Sequence, residues 1–198
     1  HPVAHSFPTR RSSDLVLLKE IAEKYGGNNI GMVILESENI FEPEVLEHIV
    51  RITDTLGVID DIYSITSLSN ILEIKSGEYG MEIGKLIDEY DLPQTKKELE
   101  DLKTRVLQKD LYRGNLISED GTATVILFTL SENADVTAVA KTVKKKVREL
   151  NIPENIYFAG SPMLVTSISD LISRDLIRLI PIAFFMIAFI LFLSFRSL

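Results

Sequence analysis

The 198-residue sequence has no cysteine. That excludes a disulfide framework, a thiolate zinc site and a cysteine nucleophile. The absence suits either side of a membrane, so it assigns no compartment. Basic residues are in the minority, 21 Lys and Arg against 29 Asp and Glu, for a net charge of -8. A general nucleic-acid binder needs a basic face for the phosphates, and this balance argues against one. Histidine is scarce too. Two of the three stand at positions 1 and 5, leaving His48 alone in the body of the chain and no histidine pair for zinc. What remains is a folding composition, 45% hydrophobic and 25% charged, enough for a sizeable core in one or two domains.

The two ends differ from the middle. Leu179–Phe195 (LIPIAFFMIAFILFLSF) is seventeen residues without a charge, and Leu176 and Ile177 extend it past Arg178. At about 1.5 Å per residue, some twenty residues cross a hydrocarbon layer roughly 30 Å thick. The run is read as a membrane-spanning helix over about 176–195, with Arg178 snorkelling towards the headgroups and Pro181 in its first turns. Arg196 beyond it is a positive-inside signal. It places the C-terminal end in the cytoplasm and residues 16–175 outside. At the other end, His5–Leu15 (HSFPTRRSSDL) has neither apolar periodicity nor the core of a signal peptide. It resembles a translated sequencing-library adapter, so residues 1–15 are expected to be an artefact without function. The missing initiator Met fits a truncated reading frame.

Between the ends, Val16–Tyr25 has one apolar helical face, stopped by Gly26-Gly27. Ile30–Leu35 reads as a buried strand. Pro43 opens a helix whose stripe is Val45, Leu46, Ile49, Ile52 and Leu56, and Ile59–Thr66 alternates as a second strand. The pattern then recurs. Thr122–Leu130 is the strongest strand, a helix carries Val136, Val139, Ala140, Val143, Val147 and Leu150, and Ile156–Ala159 is a further strand. Two strand–helix–strand units in one sheet predict an α+β fold, a duplicated βαβ (ferredoxin-like) domain over 16–165. Met81–Leu111 reads as mostly helical and polar, broken at Pro93, with Lys96, Lys97, Glu98, Glu100 and Asp101 as a solvated face. A long helix from near Leu164 runs into the membrane, its Asp170–Arg174 and Asp175–Arg178 spaced to pair along its surface. Residues 166–198 thus form one continuous helix.

No enzymatic constellation is present. Gly80–Lys85 (GMEIGK) is one residue short of a phosphate loop and has Leu86 where Ser or Thr should bind magnesium. His48 reads as a surface or boundary residue. Glu36, Glu38, Glu42, Glu44 and Glu47 lack the loop spacing of a calcium site and read as a solvated edge. Asp60 and Asp61 would point to opposite faces of a strand, poor geometry for a carboxylate pair. The chain is therefore expected to be no enzyme, with no catalytic residue, metal or cofactor, and its substrate-binding residues stay unassigned.

Six short stretches remain: Tyr25–Ile30 (YGGNNI), Phe41–Val45 (FEPEV), Leu111–Gly114 (LYRG), Ile117–Thr122 (ISEDGT), Gly160–Pro162 (GSP) and Phe195–Ser197 (FRS). They resemble resistance-nodulation-division transporters, in particular the MMPL and hydrophobe-exporter branches. Their order and spacing over 16–198 carry the resemblance. It implies the first large extracytoplasmic loop, a porter domain, followed by the second transmembrane helix of a multi-pass plasma-membrane protein. It also implies proton-driven export of lipids or other hydrophobic molecules. The partners would be the bilayer, that substrate, the remaining transmembrane and porter domains, and an oligomeric assembly as one option; no nucleic acid is expected. The relay residues would lie in helices outside this sequence. Two other readings fit the same residues: a single-helix-anchored extracytoplasmic sensor or binding domain, and a chaperone-like partner of an envelope complex.

Overall fold

The computed structural model describes residues 29–77, 80–87 and 92–196. The expected helix Val16–Tyr25, its glycine stop and the adapter-like residues 1–15 lie outside the described residues. In chain order come β1 (Ile30–Glu36), α1 (Pro43–Gly57), β2 (Ile62–Thr66), β3 (Leu72–Gly77) and β4 (Gly80–Lys85). They are followed by α2 (Lys96–Gln108), β5 (Ala123–Leu130), α3 (Val136–Glu149), β6 (Asn155–Gly160) and α4 (Ser161–Arg196). The architecture is α+β with a long C-terminal apolar helix.

Four strands form one sheet in the order β2-β5-β1-β6, every neighbouring pair antiparallel. Val33 of β1 stands opposite Ile126 of β5 on one side and Phe158 of β6 on the other. Each of the units β1–α1–β2 and β5–α3–β6 thus straddles a strand of the other. This interleaving puts the apolar β5 and β1 at the centre, where both edges of each strand are hydrogen-bonded.

The helices form for the reasons their sequences give. Pro43 occupies the first turn of α1, where its missing N–H costs nothing, and Val45, Leu46, Ile49, Ile52 and Leu56 are all buried. In α3 the Asp135 carboxylate caps the N-terminus by accepting from the N–H groups of Thr137 and Ala138, and Val139, Ala140, Val143 and Val147 are buried. These stripes, with Val33, Leu35, Ile126, Phe128 and Leu130 of the sheet, make one continuous core. Gly31 is required there. A Cβ at this position would collide with the Phe128 ring, so the bare backbone is what lets that ring fill the core.

The sequence reading fails in two places. Met81–Lys85, expected as helix, is a strand in a β3–β4 hairpin, with Ile74 opposite Ile83. Gly80 and Gly84 weaken any helix across this segment, and cross-strand pairing supplies the alternative. The second strand begins at Ile62, not Ile59. Asp61 adopts a left-handed backbone (φ 70°) and its carbonyl accepts from the Ser131 N–H at 2.7 Å, so Asp60 and Asp61 sit in the turn before β2.

Candidate functional site

The most consequential part of the molecule is the junction where α4 leaves the domain. Gly160, with φ 92°, ends β6, and a Cβ there would strike the Ile30 carbonyl. The chain turns at this point into a 36-residue helix, about 54 Å long. It starts three residues before the expected Leu164, because Ser161 and Pro162 suit a first turn. Its first turns belong to the domain: Pro162, Met163 and Thr166 are buried, and the Thr166 and Ser167 hydroxyls donate to the carbonyls four residues back. Ser169 and Asp170 are half-buried. From Leu171 to Phe195 every described side chain is exposed, including Ile177 and Phe185 at 71%.

A helix apolar on all sides and packed on nothing has no stable place in water. The stretch Ser161–Phe192 has a mean hydropathy of 2.3 over its best window, long and apolar enough to cross a membrane. Pro181 removes the N–H that would bond the Ile177 carbonyl, a loss tolerated near the start of a span.

One ion pair closes the junction. Lys141 Nζ of α3 lies 2.9 Å from Asp170 Oδ1 of α4, so Asp170 reaches across to the domain and not along its own helix to Arg174. The hydrogen bond from Lys141 holds the Asp170 carboxyl below its ordinary range, helped by the charges of Lys141, Arg174 and Lys144. Sequence spacing alone suggests the i,i+4 partner; the cross-helix one requires knowing that α3 and α4 pack together.

The remaining candidates fall into structural roles. His48 Nδ1 is 3.0 and 2.9 Å from the two carboxylate oxygens of Glu154, joining α1 to the segment before β6, and both side chains are mostly buried. Of the acidic series, Glu36 accepts from the Tyr157 hydroxyl at 3.0 Å. Among the described residues no group of three acidic, histidine or cysteine side chains is arranged to hold a metal. The sequence GMEIGK is strand β4. Glu98 completes a capping box with Thr95 at the start of α2, and its hydrogen bonds to the Thr95 and Gln94 backbone hold its carboxyl below the usual value.

Two polar clusters escape sequence reasoning. Glu73 of β3, 4% exposed, pairs with Lys109 at 2.7 Å and Arg105 at 3.2 Å, tying the hairpin to α2. Thr53, Ser67 and Ser69 share hydroxyl hydrogen bonds in the interior, between α1 and the turn after β2. No motif announces either, since Glu73 and Thr53 each meet partners 14 or more positions away.

A family model supplies the decisive comparison. That of the MMPL family matches residues 44–198, from the first turn of α1 through α4. The chain belongs to the MMPL family. None of the curated proteins matches it. Membership assigns this α+β domain and its apolar helix to a membrane transporter of the resistance-nodulation-division type, a family of transporters and not of enzymes.

Proposed function

We propose that this MMPL chain is the extracytoplasmic porter part of a proton-driven exporter of lipids or other hydrophobic molecules. In this reading the domain extends over 16–165 and α4 crosses the plasma membrane from about 176 to 195. The observation that carries the proposal is the single continuous helix joining a packed α+β domain to an unpacked apolar span. Two interleaved strand–helix–strand units support a duplicated, ferredoxin-like porter. Such a domain bounds a substrate path together with the other porter and transmembrane domains. The proton relay lies in helices beyond this chain.

The absence of cysteine makes the topology directly testable. With Tyr63→Cys, at a position 74% exposed, an impermeant maleimide should label intact cells; with Leu198→Cys it should label only after permeabilisation. The opposite pattern would reverse the orientation and remove the domain from an external path. Export by the intact protein should stop when a protonophore collapses the proton gradient, and persistence would refute proton coupling.

A further inference from the structure

Where α3 and α4 diverge, a groove of about 630 Å³ opens between domain and membrane helix. It is lined by four cations, Lys141, Lys144, Lys145 and Arg148, against two acids, Glu149 and Asp170. Lys141 is matched by Asp170 at 2.9 Å and Lys145 by Glu149 at 3.9 Å. Among the described residues neither Lys144 nor Arg148 forms a salt bridge. Arg174 is exposed on α4 one turn beyond Asp170, and its charge and that of Lys144 both act on the Asp170 carboxylate. Here a net-acidic chain carries a local cationic surplus.

The surplus stands at a defined height. Arg174 precedes Leu179, the start of the charge-free run, by five residues, about 8 Å of helix, and Asp170 precedes it by about 14 Å. The headgroup layer is roughly 5–8 Å deep on each side, and charges are felt over a further Debye length of about 8 Å. Arg174 therefore lies at the outer edge of the headgroup layer and the groove above it, within one Debye length of the lipid charges, and the exposed apolar surface of α4 below, Ile177 and Ile180 included, suits acyl chains. We infer that this junction binds the headgroup of an anionic phospholipid from the surrounding bilayer, Lys144 and Arg174 holding the phosphate while Lys141 is engaged by Asp170. The inference rests on the reading of α4 as the membrane span.

The chain has no tryptophan, so Ile177→Trp installs a single local reporter at an exposed site one turn below Arg174. The full chain is reconstituted in phosphatidylcholine vesicles and titrated with phosphatidylglycerol or phosphatidylcholine brominated high on the acyl chain. The brominated phosphatidylglycerol should half-quench at several-fold lower mole fraction. Lys144→Gln and Arg174→Gln should each weaken that preference by about fivefold, and 0.5 M salt should erode it. Asp170→Asn should strengthen it by releasing Lys141, the opposite sign to that of a residue needed only for packing. Lys96→Gln with Lys97→Gln on α2 should change nothing. Equal quenching by both lipids, or a preference untouched by the two junction substitutions, would overturn the inference with the span intact. No quenching by either lipid would remove the span, and the inference with it.

Discussion

If α4 is a membrane span, its tolerance for charge follows from its composition. Twelve of the seventeen residues from Leu179 to Phe195 are Leu, Ile or Phe. Each favours insertion by about 0.3–0.6 kcal/mol near the centre, so the run gains roughly 4–7 kcal/mol. Ile187, at the midpoint and 60% exposed, touches nothing in the domain, so substitution there acts on insertion alone. Ile187→Asp removes one favourable residue and adds about 2.5–3.5 kcal/mol, leaving a net gain of around 2 kcal/mol and a chain still inserted. Adding Phe184→Asp turns that gain into a net cost of about 1–2 kcal/mol. Alkaline extraction of membranes, followed by immunoblotting, reads the outcome. The wild type and the single variant should stay in the pellet, while the double variant moves largely to the supernatant with its domain still folded. Retention of the double variant, or release of the wild type, would refute the reasoning. Loss of folding in the single variant would mean that α4 is a buried core helix.

Three further outcomes follow from the packing. Gly31→Ala should destabilise the domain by about 1–3 kcal/mol in urea denaturation, because the new methyl meets the Phe128 ring; Phe128→Leu in the same chain should recover part of the loss, and strictly additive effects would contradict this account. Glu73→Ala should cost about 1–3 kcal/mol, below the 3–5 typical of a fully buried pair, since Arg105 and Lys109 are 40% and 41% exposed and can rehydrate; an unchanged denaturation midpoint would dismiss the pair as structural. Hydrogen bonds from Ser118 and Thr122 lower the Asp120 carboxyl from 3.8 to about 2. Its contribution is complete above the unfolded value and lost as pH falls towards 2, so Asp120→Asn should flatten the acid limb of stability between about pH 4 and 2, and an identical acid limb would show the turn to be irrelevant.

Legibility in the sequence followed the range of the interactions. The stripes of α1 and α3 and the strands β1, β5 and β6 could be read to within a residue or two, because burial against one sheet imposes its period on consecutive residues. The apolar span was legible because its signal is composition over seventeen residues. The β3–β4 hairpin was not, since its strands are short and polar and gain their order from pairing with each other and from Glu73 reaching α2. The partner of Asp170 was hidden for the same reason: Arg174 is nearer in sequence, and Lys141 is nearer in space.

This contrast bears on how the α+β domain and its apolar helix act together. Met163 and Thr166 fix the start of α4 in the core, and the Lys141–Asp170 pair secures its last contact with the domain. Between Asp170 and Pro181 the helix has no proline and no glycine, so no kink-forming residue interrupts it between the domain and the apolar run. Inserting two glycines after Ser173 would rotate the two halves by about 200° and add a flexible step, while leaving the core and the apolar run unaltered. In the intact protein that insertion should abolish transport without lowering the amount of folded protein in the membrane. Transport at the wild-type rate would show that the stalk is a tether, and the route for conformational coupling would then have to run through contacts other than α4.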